Sequence, residues 1–308
     1  MIKIPIRAIV FAAILFVPAP LTATAADFKV AFVGDMGVSK RAEEVLKLIK
    51  TEGASLVVHA GDMGYANPPS EFERMLNRVL GPGFPVIATV GNHDVDYWDG
   101  PGGYREIFER RLMRAGVDWD GVLGERAEVK HRGLSVFMAA PGIFRDGRKG
   151  TDVYANYLGE RLGKDDSKWR VCLWHKNQAR MNVGDKHDET GWAVYEACRR
   201  HGALIVTGHS HTYSRTHPLS DMERQTVSAI SAEIPVGKGS TIAVVSGLGG
   251  NHRDPVEKER LGPWWAAVYA DEYGALFCDF GAESSAACYF KDIRGRVIDR
   301  FSLRNSLN

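Results

Sequence analysis

Long apolar runs, charge of one sign and cysteine are all scarce in this sequence, and each scarcity removes a class of protein. Beyond residue 17 no stretch approaches the roughly 20 apolar residues that a membrane-spanning helix needs, so the mature chain reads as soluble. The formal net charge is only +1, which leaves out the strongly basic surface that would suggest nucleic acid as an obligatory partner. A small anionic substrate needs positive charge only locally. Of the four cysteines, Cys172, Cys198, Cys278 and Cys288, no pair has zinc-ribbon spacing. Cys278 and Cys288 flank an expected hairpin and suit a bridge, whereas Cys172 lies in an apolar run where a buried thiol is the alternative. There is no internal repeat, low-complexity tract or linker, so residues 26–308 read as one domain.

The first residues read as an address. Lys3 and Arg7 supply positive charge, residues 8–17 are apolar, and Ala23-Thr24-Ala25 has the small-x-small form of a cleavage site. Residues 1–25 are therefore expected to be an export signal. Pro18 and Pro20 interrupt a run already short for a bilayer, which argues against a permanent anchor. Export places the mature protein in the periplasm or outside the cell, where disulfides persist and no membrane partner is required.

Through the first half, short apolar runs alternate with helical patterns, the signature of βαβ units on a largely parallel sheet. A strand is expected over 29–33. Ser39 then caps a helix on which Ala42, Val45, Leu46 and Ile49 recur at helical spacing, and Gly53 stops it. A second strand follows over 55–60. Ser70 and Glu73 have capping-box spacing ahead of Phe72, Met75, Leu76 and Val79, and Gly81-Pro82 ends that helix before a strand over 85–90. A helix near 104–115 and strands near 126–140 come next, then apolar strands over 170–174 and 203–207 separated by a helix that Gly202 ends. Past residue 225 the runs are short and β-rich, over 241–245, 275–280, 286–290 and 296–301, which suggests a second, largely antiparallel sheet. The expected fold is mixed α/β: two packed mixed β-sheets flanked by helices, a four-layer αββα sandwich.

Polar residues stand immediately after the apolar strands: Gly34-Asp35-Met36-Gly37, Gly61-Asp62-Met63-Gly64-Tyr65, Gly91-Asn92-His93-Asp94, His175, and Gly208-His209-Ser210-His211. Ligands of open α/β sheets bind at the carboxyl ends of strands, so these five segments are expected to converge on one crevice. Asp, Asn, His and Tyr offer oxygen and imidazole nitrogen donors, which suit iron, zinc or manganese better than a soft thiolate site would. Glycine before the ligands lets the backbone turn off the strand. Taken singly, each segment has a plainer reading, since Gly-Asp after a strand makes turns and caps and a lone His-x-His often binds nothing. All five in order, each at a strand end, favour a metal site.

The ordered set resembles the calcineurin-like metallophosphoesterases, and the tyrosine of Gly-Asp-x-x-Tyr, here Tyr65, makes it similar to the purple acid phosphatases among them. The flanking Tyr65-Ala66-Asn67 and Tyr213-Ser214-Arg215-Thr216 look like the plant-type enzymes, without their additional amino-terminal β-domain. The resemblance implies one metal, ferric in the family, on Asp35, Tyr65 and His211, with Asp62 bridging to a second ion, Fe2+, Zn2+ or Mn2+, on Asn92, His175 and His209. Two cations so held clamp the attacking and leaving oxygens of a small phosphorylated substrate and lower the pKa of a bound water, which then attacks phosphorus. His93 would protonate the leaving group, and Asp94 would orient or tune it. The implied activity is phosphate monoester hydrolysis, with phosphodiester hydrolysis and metal binding without catalysis as the alternatives.

Two departures stand out. Cys172-Leu173-Trp174-His175 has cysteine where the family's Val-x-x-His step has valine, and Lys176, Asn177 and Gln178 follow His175 where further histidines often contact substrate. Lys176 or Arg180 could supply charge for phosphate instead, although a basic loop residue is more often simply solvated. His59 is placed to support the site, and His187 and His252 to reach the cleft. Gly247-Leu248-Gly249-Gly250 lacks the Gly-Lys-Ser/Thr ending of a phosphate loop and reads as a turn.

Overall fold

A strand apolar on both faces must be covered on both faces, and in Phe28–Val33 every residue but Lys29 is buried. In the computed structural model, which describes residues 28–306 apart from 145–150 and 282–283, this strand lies inside a seven-stranded sheet. The order across it is Glu233–Val236, Val297–Asn305, Ser285–Asp292, Gly274–Phe280, Phe28–Val33, Leu56–His59 and Val86–Ala88. The last three are mutually parallel, as a βαβαβ pattern requires. A second, eight-stranded sheet runs Trp265–Tyr269, Tyr213–Thr216, Ala243–Ser246, Leu204–Thr207, Trp169–Leu173, Leu134–Met138, Arg126–His131 and Trp119–Val122. The expected export signal lies outside the described residues, among which no helix is long and apolar enough to cross a membrane.

The sheets pack face to face. Phe32, Leu276 and Cys278 of the first meet Leu204, Val206 and Val244 of the second, Trp169 packs on Phe280 at 5.2 Å, and Tyr213 stacks on Phe290 at 4.1 Å. Helices Lys40–Thr51, Pro69–Val79 and Tyr104–Arg114 flank the first sheet, and Thr151–Lys164 and Ala193–Arg200 the second. This is the αββα sandwich expected. In the first helix Ser39 accepts the Ala42 N–H at 3.1 Å, and Ala42, Val45, Leu46 and Ile49 are all buried. At about 1.5–3 kcal/mol for each large side chain, that face holds the helix to the sheet.

Several expectations need correction. The last strands do not form a sheet of their own: Gly274–Phe280, Ser285–Asp292 and Val297–Asn305 extend the first sheet antiparallel from Phe28–Val33, whereas Ala243–Ser246 pairs parallel to Leu204–Thr207 in the second. Period-two patterning marks a strand but does not say which free edge it joins. Ser70 is not a cap, because the second helix begins at Pro69 after an extended Pro68, and a proline in the first turn presets φ without needing a side-chain cap. The helix Thr151–Lys164 went unanticipated. Its buried Tyr154, Ala155, Leu158 and Leu162 do fit one face, but Gly159 and Gly163 dilute the pattern. Cys172 is not a free thiol: it is bonded to Cys198, as Cys278 is to Cys288. The first bridge joins the strand before His175 to helix Ala193–Arg200, which explains cysteine at the family's valine position.

Candidate metal centre

The ends of five strands meet where the two sheets abut. Asp35 follows Phe28–Val33, Asp62 and Tyr65 follow Leu56–His59, and Asn92 follows Val86–Ala88. From the second sheet come His175, after Trp169–Leu173, and His209 and His211, after Leu204–Thr207. Main-chain bonds stitch these loops together: Asp35 and Met36 N–H donate to the Gly61 and Asp62 carbonyls, each at 3.0 Å, and Gly208 N–H donates to the His175 carbonyl at 3.1 Å. All seven side chains are buried or half-buried.

Their donor atoms fall into two groups. Tyr65 Oη lies 3.0 Å from His211 Nε2 and 3.4 Å from Asp35 Oδ1, with His211 Nε2 3.4 Å from the same carboxylate oxygen. His175 Nε2 lies 3.0 Å from Asn92 Oδ1 and 3.3 Å from Asp62 Oδ2, and His209 joins Asp62 and His175 with donor atoms within 4.8 Å of one another. Asp62 belongs to the second group while its charge acts on Tyr65 in the first.

The three histidines are held as metal ligands are. His175 Nδ1 faces the Ala60 carbonyl oxygen at 2.8 Å, His211 Nδ1 the His252 carbonyl oxygen at 3.0 Å, and His209 Nε2 a Glu189 carboxylate oxygen at 2.6 Å. Those oxygens only accept, so the facing nitrogen must carry the proton, and in the neutral ring the other nitrogen keeps its lone pair. Glu189 had no sequence signal. It is separated from His209 by a helix and a strand, and its carboxylate also receives the Lys176 ammonium.

The protonation pattern fits a cation-binding cavity. Burial would lower the His175 pKa, but the neighbouring Asp62 carboxylate outweighs it and raises the value to about 9, so a cation held at that nitrogen would take the place of a proton. Burial, then Asp35 and Asp62, push the Tyr65 phenol far above its usual range. A phenolate is stable there only opposite positive charge. Burial opposes ionisation of Glu189, yet His209 and Lys176 hold its pKa down at about 2.

The backbone is bent at the candidate ligands themselves. Asp35, Asp62, Tyr65 and His209 have φ of 57°, 60°, 51° and 67°, four of the six non-glycine residues with positive φ among those described. Each such conformation stores about 1–3 kcal/mol, and strain of this kind gathers at functional sites. The preceding glycines serve mainly close approach. A Cβ on Gly91 would stand 2.1 Å from Asp62 Oδ1, and one on Gly208 2.6 Å from Asp35 Oδ2.

Other candidates sort themselves by contact. His93 is exposed, its ring 4.7 Å from that of Tyr65 and its main-chain N–H donating to Asp62 Oδ1 at 3.0 Å. The Asp94 carboxylate is instead buried beneath the loops, accepting N–H bonds from Asp62, Met63 and Gly91 at 2.7, 2.9 and 2.8 Å, and burial followed by Asp62 raises its pKa to about 7. These bonds place it under the ligand loops rather than against the His93 ring. Lys176 is paired with Glu189, and Arg180 donates to Gln225 at 3.0 Å. His59 is fully buried edge-on to Phe72 with no hydrogen-bond partner among the described residues, and burial lowers its pKa to about 3. It packs behind the site as a neutral ring. His252 does reach the cleft, its ring 4.0 Å from that of His211, while His187 is exposed two residues before Glu189. The glycine-rich turn over 247–250 braces the site: Gly249 N–H donates to the Gly34 carbonyl at 3.0 Å, and Asn251 N–H to the Asp35 carbonyl at 3.1 Å.

Comparison with solved structures finds the same architecture elsewhere. A purple acid phosphatase from yellow lupin (Lupinus luteus) seeds superposes with a TM-score of 0.66 at 18% identity, covering 91% of this chain and 54% of its own, so the present chain spans about half that enzyme's length. GAP50 of Plasmodium, the anchor in the inner membrane complex, gives 0.61 at 10% identity over 92% and 91% of the two chains. A dimetal phosphatase from Danio rerio gives 0.51 at 10% identity over 90% and 98%. Likeness at such identities establishes a shared fold. The calcineurin-like phosphoesterase model matches residues 28–213, a span that holds all seven donors, and with more than half its length so matched the chain belongs to that family.

Proposed function

We propose that the protein is an exported phosphoesterase dependent on two metal ions, and that its substrates are phosphate monoesters. The supporting observation is the set of three histidines, each with one ring nitrogen committed to a carbonyl or carboxylate, gathered with Asp35, Asp62, Tyr65 and Asn92 at the ends of five strands. Asp35, Tyr65 and His211 would hold one ion, ferric by family resemblance. Asn92, His175 and His209 would hold the other, ferrous iron, zinc or manganese, with Asp62 shared. Two bound cations would offset phosphoryl charge and make an attacking water easier to deprotonate.

The chain's own groups account for the rest. His93, exposed beside the Tyr65 ring and anchored at its main-chain N–H to Asp62, would give a proton to the departing ester oxygen. Asp94 keeps the Asp62 and Asn92 loops in register by accepting their N–H groups from below. Lys176 is paired with Glu189 beside His209, so its charge is offset by that carboxylate. Two disulfides suit the oxidising compartment that export implies.

The test is hydrolysis of p-nitrophenyl phosphate beside bis-p-nitrophenyl phosphate from acid to alkaline pH with added metals, using Asn92→Ala as the control. The expected result is faster turnover of the monoester, lost in the control. Preference for the diester would make the protein a phosphodiesterase. Metal-loaded protein inert towards both would favour metal binding without catalysis.

A further inference from the structure

The two halves of the candidate donor cluster are supported by different segments of the chain. His211 is gripped on four sides by residues 252–254. Its main-chain N–H donates to Asp254 Oδ2 at 2.9 Å, and its carbonyl accepts the Asp254 N–H at 3.1 Å. Its Nδ1 donates to the His252 carbonyl at 3.0 Å, and its ring lies 4.0 Å from the His252 ring. His252 is tied back in turn, with Nε2 3.2 Å from Asp254 Oδ1, and Lys186 Nζ lies 3.5 Å from Oδ2. Asp254 is buried although three charged or ionisable groups converge on it. One residue before His252, the Asn251 N–H donates to the Asp35 carbonyl at 3.1 Å. The same short segment therefore holds both His211 and Asp35, whereas the rings of His175 and His209 are tied to Ala60 and Glu189, and His209 meets the first half only through its main-chain N–H to Asp35 Oδ2 at 2.9 Å.

We propose that Asp254 is a positioning residue for the tyrosine-side metal alone. It fixes the main chain of His211 and, through His252, the direction in which the imidazole presents Nε2 to Tyr65 and Asp35. The inference rests on the two-metal reading of the site. Outer partners of metal ligands typically change metal affinity by about 10- to 100-fold when removed, so the two ions should separate in affinity when Asp254 is replaced.

The experiment is metal content per chain by elemental analysis during graded chelation, with the visible spectrum of iron-loaded protein, for the parent, Asp254→Ala and Asp254→Asn. Melting of the metal-free proteins is followed alongside. The parent should hold two ions. Asp254→Ala should release one of them at about 10- to 100-fold lower chelator concentration and lose the tyrosinate-to-iron band, while the other ion leaves as in the parent. Asp254→Asn keeps an oxygen for the His211 N–H and should restore the band. Two ions released from Asp254→Ala as from the parent, or both weakened equally, overturn the proposal, and so does an Asn variant no better than Ala. If Asp254→Ala does not fold, Asp254→Leu, which also lacks an acceptor for the His211 N–H, decides: unequal weakening of the two ions supports the proposal, and equal weakening or none overturns it. A parent that binds no metal would overturn the reading of the site itself, a result distinct from all of these.

Discussion

Asp299 joins the two sheets, and its removal should be among the most damaging single changes away from the metal centre. Its carboxylate accepts Arg215 Nε at 2.7 Å through Oδ2 and Arg215 Nη2 at 2.9 Å through Oδ1, and the Tyr213 hydroxyl donates to Oδ2 at 2.7 Å. Arg215 and Tyr213 lie on Tyr213–Thr216 of the second sheet, Asp299 on Val297–Asn305 of the first, and the side chains of the ion pair are only 7% and 8% exposed. Asp299→Ala leaves a guanidinium and a phenol buried without their acceptor. Breaking a buried pair by removing one partner costs about 3–5 kcal/mol. At about 2–4 °C per kcal/mol for a domain of this size, the melting temperature should fall by about 6–20 °C. Replacing both charges, as Arg215→Met with Asp299→Leu, should recover most of the loss, because apolar packing commonly matches a buried ion pair. Calorimetry of the metal-free proteins checks both. A fall below 2 °C for Asp299→Ala, or a double variant worse than the single, would refute the reasoning.

Three further outcomes follow from the site and its surroundings. His93→Ala should lower kcat by about 100- to 10,000-fold with both metals retained by elemental analysis, and parent-like turnover would remove His93 from its assigned role. Gly91→Ala places a Cβ 2.1 Å from Asp62 Oδ1, so it should lose metal as well as activity, and unchanged metal content would contradict the packing. Asp292 accepts the Tyr269 hydroxyl and the Arg294 and Arg296 N–H groups at 2.9, 3.0 and 2.9 Å; burial opposes its ionisation, but these bonds and the Arg296 side chain outweigh it and lower the pKa. A lowered carboxylate pKa gives stability above the unfolded value, about 3.9, that is lost as pH falls through the folded one. Urea melts should therefore show the gap between parent and Asp292→Asn narrowing below about pH 4, and a constant gap would deny Asp292 that role.

The candidate donor residues are legible in the sequence because each stands in a short motif at a strand end, where composition and position coincide. Their supports are not. Glu189, Asp254 and the bracing turn over 247–250 reach the ligands only through the tertiary fold, and a carboxylate in a loop looks the same whether it faces solvent or an imidazole. Asp94 was visible as a residue but not in its use, since the spacing that puts it beside His93 in the chain turns its side chain under the loops. The sandwich was legible too, through βαβ alternation, but sheet membership of the last strands was not. The exposed edge strand Trp119–Val122 carries no alternation to read.

The most direct test of the account is the activity of metal-depleted protein on p-nitrophenyl phosphate as metal is added back. Two ions held by the seven donors predict negligible activity at the start and a rise that levels off at two ions per chain. Full activity in the depleted protein, or activity indifferent to added metal, would contradict it.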